Sequence, residues 1–183
     1  MKIRRIVLFF LGIISCDTTP PLPKPKAELS LEYPKAEYQL VKNICAFRFL
    51  KNDNAQYEDI EGCESKLVYS KMNATLFLSY RPVENNIDAL VSEAYKMPSS
   101  HIRQATRIPE RIFQNPDHKS FGTLFRIEGN AASQVQFFLT DSTEHFLVGA
   151  LYFYARPNYD SILPAARYIE RDIVKLMESL CWE

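Results

Sequence analysis

The stretch 121-FGTLFRIEGNAASQVQFFLTDSTEHFLVGALYFY-154 decides the fold of this chain. Its first seven residues place aromatic and β-branched side chains at every second position from Phe121 to Ile127, which is the period of a β-strand. Gly129-Asn130 and Asp141-Ser142-Thr143 then supply residues that favour turns. The stretch therefore predicts an antiparallel meander of three strands, at residues 121–127, 135–140 and 145–154.

Two earlier segments predict further strands. Residues 38–50 and 67–80 are rich in β-branched and aromatic side chains, as strands are. The residues 51–59 between them are polar, and we expect them to form a turn-rich insert. A short strand interrupted by Pro109 is predicted for residues 102–113, because proline cannot donate to a ladder.

Apolar residues at helical spacing predict two helices. The first begins at a cap formed by Asn85 or Asn86. The second begins at a cap formed by Asp160 or Ser161 and tolerates Pro164 in its first turn. The apolar stripes are Ile87, Leu90, Val91 and Ala94 in the first helix, and Ile162, Ala166, Ile169, Ile173, Leu176 and Leu180 in the second.

The predicted order β-β-α-β-β-β-β-α indicates an α+β fold. In this fold an antiparallel β-sheet is flanked by helices, and the long C-terminal helix packs across it. The order resembles that of the PsbP/Mog1-like sandwich. A chain of 183 residues with 46% hydrophobic and 24% charged residues is sufficient for one globular domain, which we expect at residues 34–183.

Residues 1–15 have the three zones of a lipoprotein signal peptide. Lys2, Arg4 and Arg5 give a positive start, and an apolar run follows that is too short to cross a bilayer core of about 30 Å. Ile-Ile-Ser then precedes Cys16 in the pattern of a lipobox. We therefore expect cleavage before Cys16, which would receive acyl chains, palmitate among them. An uncleaved anchor or a fortuitous cysteine is the alternative.

Residues 16–33 are proline-rich and predict an extended tether between the lipid anchor and the domain. Without its leader the chain keeps 19 basic residues against 22 acidic ones, a net charge of −3. Such a chain has no electrostatic reason to seek nucleic acid or anionic lipid surfaces. Both are therefore excluded as main partners.

Cys45 and Cys63 lie on either side of the polar insert. Export places them where disulfides persist, so we expect them to pair and to stabilise the domain by about 3 kcal/mol. Cys181, in the apolar stripe of the last helix, is expected to be an unpaired, buried, small apolar side chain. No cysteine or histidine spacing suits zinc, and we expect neither a metal nor another cofactor.

Several motifs follow one another in a fixed order in the second half of the chain. They are Glu128-Gly-Asn-Ala-Ala-Ser133, Gln136-Phe-Phe-Leu-Thr-Asp-Ser-Thr143, His145-Phe146, Gly149-Ala-Leu-Tyr-Phe153, Arg156-Pro-Asn158, Asp160-Ser161 and Tyr168-Ile-Glu-Arg-Asp-Ile173. From about Tyr33 to Trp182 the chain resembles GldD, the gliding-motility lipoprotein family of Bacteroidota. It departs from that pattern at Glu64, where the family has tryptophan, and at Cys181, where it has an aromatic residue. The resemblance implies a part in gliding and type IX protein secretion, with other envelope proteins of that machinery as partners and no known catalytic chemistry.

The most enzyme-like cluster is formed by Asp141, Ser142 and His145. A hydrolase needs a nucleophile, a base and a group that orients the base. Three such residues within five positions cannot easily form that relay, because neighbouring strand residues face opposite sides. We therefore expect a turn in which Asp141 and Ser142 bond the backbone, and a protein that is not an enzyme.

The small residues after Glu128 suggest a hairpin that a partner could approach closely. A plain tight turn is the alternative, and Arg156 to Asp160 are expected either to pair with this hairpin or only to cap the last helix. The candidate docking residues are Glu128, Gly129, Asn130, Ser133, Asp141, His145, Arg156, Asn158 and Asp160. The predicted protein is an envelope lipoprotein that faces the periplasm and is held to the membrane by acyl chains on Cys16. The sequence does not decide between the inner and the outer membrane, and the outer membrane is favoured. A small-ligand carrier of PsbP-like shape is the second hypothesis.

Overall fold

The computed structural model describes residues 32–42, 45–155 and 158–183. The predicted leader, Cys16 and the tether up to residue 31 lie outside these residues. The described strands are β1 Tyr38–Lys42, β2 Phe47–Asn52, β3 Gln56–Ile60, β4 Glu64–Tyr69, β5 Ala74–Pro82, β6 Ala105–Arg107, β7 Glu110–Asn115, β8 Ser120–Arg126, β9 Glu128–Gly129, β10 Ser133–Thr140, β11 His145–Phe153 and β12 Cys181–Trp182, and the α-helices are α1 Ile87–Lys96 and α2 Tyr159–Ser179.

The predicted meander forms the centre of a seven-stranded antiparallel sheet. Its strands follow the order β3-β4-β5-β11-β10-β8-β7. β10 pairs with β8 on one side and with β11 on the other, and β5 from the first half of the chain continues the sheet beside β11. Every residue of β10 is buried, because the strand is central and both faces of the sheet are covered.

One face of the sheet carries α2 and a small second sheet, and the other face carries α1. The large core includes Phe137 and Leu139 of β10 together with Ile169 and Ile173 of α2. Phe138, which alternates with them and so faces the other way, packs in a second cluster with Leu90 of α1. The predicted α+β class, with an antiparallel sheet flanked by helices and a long C-terminal helix, is confirmed.

The second sheet has the order β1-β2-β12, and a buried polar network ties it to α2. Tyr38 and Asn52 each donate a hydrogen bond of 2.8 Å to the carboxylate of Asp172. Burial raises the pKa of Asp172, and these two hydrogen bonds oppose the rise. Just before β1, Tyr33 stacks on Tyr168 of α2 with ring centroids 5.1 Å apart. The last residue of the predicted tether therefore contacts the domain.

The insert at residues 51–59 was expected to be turn-rich, but it contains most of β3. Its polar composition suits this position, because β3 is an edge strand and most of its side chains face solvent. The interrupted strand predicted for residues 102–113 is confirmed in part: Ile108 and Pro109 separate β6 from β7, but residues 102–104 form a turn and the two strands belong to different sheets.

The cysteine pairing is confirmed. Cys45 and Cys63 form a disulfide with their Cα atoms 5.5 Å apart. Cys181 is free, as expected, but its predicted position is wrong. The helix ends at Ser179, and Cys181 is half-buried in β12, where it pairs with Arg48 of β2. No helix in the described part of the chain is long and apolar enough to cross a membrane.

Candidate functional site

The structure brings the loop after β9 to the beginning of α2. The side-chain oxygen of Asn130 accepts the backbone N–H of Tyr159 at 2.8 Å. Tyr159 is the first residue of α2, so the expected caps at Asp160 and Ser161 are wrong and Pro164 lies in the second turn. Proline there removes one helical hydrogen bond and crowds the carbonyl of Asp160. One of the N–H groups that the first turn of a helix leaves without an intrahelical partner is thus satisfied from another part of the chain.

Asn158 occupies the position directly before the helix without using its side chain. Its carbonyl accepts the N–H groups of Ser161 and Ile162, and no side-chain hydrogen bond from Asn158 caps the helix. Asp160 is exposed in the first turn, where a carboxylate is favourable because of the helix dipole. Arg156 lies outside the described residues.

The small residues of the loop serve packing within the domain. Gly129 has a φ of +135°, and a Cβ atom added to it would lie 2.4 Å from the carbonyl oxygen of Gln104. The predicted turn at Gly129 is therefore wrong in detail, because Gly129 belongs to β9 and pairs with Ala105 of β6. Ser133 is completely buried. The polar side chains that this loop presents near the surface are those of Glu128, which is half-buried and pairs with Arg107, and of the exposed Asn130.

A groove of about 430 Å³ lies beside this loop, and four arginines line it. We call it the arginine groove; its residues are Arg111, Arg126, Arg167, Glu170, Arg171 and Val174. Arg126 and Glu170 form a two-pronged ion pair, with Nε and Oε2 2.9 Å apart. Arg167 and Arg171 are four residues apart in α2 and so share a helix face. Four arginines against one glutamate make the lining of the groove basic at neutral pH, since arginine stays protonated.

The predicted enzyme-like cluster forms a turn. One carboxylate oxygen of Asp141 accepts the backbone N–H groups of Thr143, Glu144 and His145 at 3.0, 2.9 and 2.8 Å. Partial burial would raise the pKa of Asp141, but these hydrogen bonds outweigh it and lower the pKa to about 2. The expectation that Asp141 bonds the backbone is confirmed. Ser142 has a φ of +70° and donates its own N–H to the hydroxyl of Thr140.

The ring of His145 is held by aromatic neighbours instead of by Asp141. Its Nδ1 lies 2.8 Å from the hydroxyl of Tyr80. The ring stacks on Trp182 with centroids 5.1 Å apart and planes 8° from parallel. Asp141 therefore bonds the backbone of His145 and leaves its ring to Tyr80 and Trp182, so these groups do not form the base-orienting pair of a hydrolase.

A family model of the gliding motility lipoprotein GldD matches residues 18–182 of the chain. The chain belongs to this family. No curated protein matches the chain. The resemblance drawn from the motifs after Glu128 is thereby confirmed, and with it a part in gliding motility and an association with the cell envelope through a lipoprotein family.

In this GldD family member the candidate docking residues fall into two groups at opposite ends of β10. Glu128, Asn130, Asn158 and Asp160 lie around its first residue, while Asp141 and His145 follow its last. The eight residues of β10 separate the groups by roughly 23 Å at about 3.3 Å per residue. A partner that touched both groups would need to span that length of the sheet.

Sequence reasoning missed the arginine groove of this GldD family member. Its residues come from β7, β8 and α2, and they are distributed over some sixty positions of the chain. The one local signal is the spacing of Arg167 and Arg171 on a helix whose other face is apolar. Nothing in the sequence of β7 or β8 shows that Arg111 and Arg126 face that helix. The described residues contain no group of three or more side chains placed to hold a metal ion.

Proposed function

We propose that this chain is a non-enzymatic envelope lipoprotein that supports gliding motility and type IX protein secretion by binding other proteins of that machinery. Exposed apolar side chains outside a filled core are the observation that carries the proposal. Ile112 is 74% exposed and Ile102 is 62% exposed. Contiguous apolar surface rimmed by polar residues marks interaction sites, and Ile102 shares its groove with Tyr95, Pro98 and Ile108.

The interior of the domain favours protein binding over a small-ligand carrier. Ligand pockets occupy about 300–1,000 Å³ and bury most of the ligand. The cavity between α1 and the sheet measures about 140 Å³ and is lined by Leu90, Ala94, Met97, Phe146 and Val148, with Ser79, Arg81 and Glu93 at its polar side. The larger spaces, such as the arginine groove, are grooves at the surface.

The proposed anchor is a set of acyl chains on Cys16. Residues 16–33 then lead as a tether to the domain at 34–183, which faces the periplasm, with the outer membrane favoured over the inner one. The stacking of Tyr33 on Tyr168 supports this division, because it fixes the end of the tether to α2. Metabolic labelling with a fatty-acid analogue tests it: Cys16→Ser should carry no label, and a labelled variant would rule Cys16 out.

The non-enzymatic function is tested by complementing a deletion strain. Ser142→Ala and His145→Ala should restore colony spreading and secretion, because Asp141 does not orient the His145 ring. Circular dichroism of each purified variant checks that it is folded. A folded Ser142→Ala protein that fails to restore spreading would favour catalysis. Crosslinking in the native envelope, followed by purification of the wild-type chain, should recover proteins of the gliding and secretion machinery.

A further inference from the structure

Strand β7 forms one edge of the seven-stranded sheet, and no described strand pairs with its outer side. The carbonyl of Pro109 accepts the N–H of Arg126 at 3.0 Å, which sets the alternation of the ladder. Because bonded and non-bonded pairs alternate along an antiparallel ladder, Arg111 and Phe113 bond β8. The backbone N–H and C=O groups of Glu110, Ile112 and Gln114 therefore point away from the sheet.

The two edges of this sheet differ in what they present. β3, at the other edge, carries the two negative charges of Glu58 and Asp59, whereas the charges of Glu110 and Arg111 in β7 cancel. In β7 the middle of the outward-pointing set is Ile112, the most exposed of the large apolar side chains in the described part of the chain. An open edge with a central apolar residue is a template for another strand unless it is covered. Proteins use such edges to bind extended segments of partners.

The face of β7 that looks toward α2 is basic. Arg111 lines the arginine groove, and Phe113, two residues later, packs against the core around α2. A strand added beside β7 would direct every second side chain toward this groove. Guanidinium groups bind carboxylates with two parallel hydrogen bonds. The side chains that fit this face are therefore aspartate and glutamate.

The opposite face of β7 has the exposed Ile112 at its centre, between Glu110 and Gln114. Glu110 and Ile112 alternate with Arg111 and so lie on the face that carries α1. Glu110 borders a groove of about 350 Å³, and the exposed Ile102 lies in its wall. The other apolar side chains that line it are Tyr95, Pro98, Ala105, Ile108 and Phe125. The polar side chains that line it are Ser99, Thr106, Arg107 and Glu110. The remaining side chains of an added strand would meet the exposed Ile112 and the apolar part of this groove.

We infer that β7 binds an extended segment of a partner protein in which carboxylate and apolar side chains alternate, and that this segment adds to the sheet as an eighth strand. The inference rests on the proposed function in protein binding and specifies the kind of partner. Backbone hydrogen bonds to Glu110, Ile112 and Gln114 hold the segment, the arginine groove selects its acidic side chains, and the surface around Ile112 selects its apolar ones.

A synthetic peptide tests the inference directly. The probe is an eight-residue, end-blocked peptide of alternating glutamate and valine, added to the full chain in detergent micelles. Calorimetry should show saturable binding, and hydrogen exchange should slow at residues 110–114. A peptide with lysine in place of glutamate should bind at least about tenfold more weakly, because like charges would face the arginine groove. Equal binding of the two peptides, or protection at β3 instead, would overturn the inference.

Substitutions in β7 separate backbone pairing from side-chain contact. Ile112→Pro removes an outward N–H and leaves the ladder to β8 intact, so it should weaken peptide binding by about tenfold or more while the domain stays folded. Ile112→Thr keeps that N–H and a β-branched side chain, so it should bind within about threefold of wild type. Undiminished binding by a folded Ile112→Pro protein would refute strand addition.

The groove is tested by charge reversal with a matched control. Arg111→Glu should weaken binding of the glutamate peptide by about tenfold or more and strengthen binding of the lysine peptide. Lys71→Glu changes the net charge by the same amount on the short 3₁₀ segment between β4 and β5, and it should leave both affinities unchanged. If the two variants behave alike, the effect is one of total charge and the groove does not select the partner.

Failure of this inference is distinguishable from failure of the proposed function. If Ile112→Pro still recovers the partners that crosslinking recovers with wild type, protein binding stands and β7 is not the site. If the wild-type chain recovers no partner, the proposed function itself falls. Slowed exchange at residues 110–114 in the chain alone, together with a dimer in solution, would assign the edge to a second copy and overturn the partner proposal.

Discussion

Asn130→Ala should destabilise the domain by about 1 kcal/mol, because it removes the hydrogen bond that caps α2 from 29 residues earlier in the chain. Loss of a capping side chain costs about 0.5–2 kcal/mol, and the exposed position of Asn130 allows water to replace part of the bond. The φ angle of Asn130 is not positive, so alanine adds no backbone strain. With an m-value of about 2 kcal/mol/M, the urea midpoint should fall by about 0.5 M.

Asn158→Ala is the matched control. Asn158 is the residue that sequence proximity would choose as the cap, yet its side chain makes no capping hydrogen bond. We expect its replacement to change the free energy of unfolding by less than about 0.5 kcal/mol. Asn130→Asp should keep most of the stability, since a carboxylate also accepts this bond and suits a helix N-terminus. A larger loss for Asn158→Ala than for Asn130→Ala would refute the assignment of the cap.

Three further predictions concern the rest of the domain. Since the pKa of Asp141 is lowered to about 2, its contribution to stability is complete above about pH 5 and is lost as the pH falls below 3.8. At pH 6 the free energy of unfolding of wild type should exceed that of Asp141→Asn by about 1 kcal/mol, a figure discounted for the exposure of the side chain. In urea titrations this difference should narrow toward pH 2. In urea unfolding, Cys45→Ser should lower the free energy of unfolding by about 3 kcal/mol, and Cys181→Ser should change it little. A larger loss for Cys181→Ser, or a peptide map that shows Cys181 in a disulfide, would contradict the pairing. Gly149→Ala should cost about 1–3 kcal/mol by calorimetry, because its Cβ would lie 2.1 Å from the buried ring of Phe137; an unchanged melting temperature would show that the ring can move.

The family and the central strands were predictable from the sequence because their signals are local. Alternation along residues 121–127 and the continuous apolar run of residues 146–154 mark strands whose neighbours in the sheet are also neighbours in the chain, so that short turns bring them together. The apolar stripe of α2 likewise predicts a helix with one buried face. Cys45 and Cys63 could be paired because they bracket a single short insert.

Polar composition gave a wrong prediction for a strand whose burial depends on its position in the sheet. β3 has the composition of a loop, and only its place at an edge, paired with β4 alone, makes its polar side chains compatible with a strand. The same limit applies to β7. The sequence Glu-Arg-Ile-Phe-Gln-Asn predicts a strand, but it does not show that one side of that strand is open.

The sequence by itself determined the strand and helix periods, the disulfide and the family of this protein. Tertiary structure alone decided which residues cap, pair or face one another across the sheet. Asn130 bonds Tyr159, and Arg111, Arg126 and Arg171 line one groove, because the order of strands places β7 and β8 on the side of the sheet that α2 covers. A contact between distant residues leaves no periodic trace in either segment, because each segment's pattern records only which of its own side chains are buried.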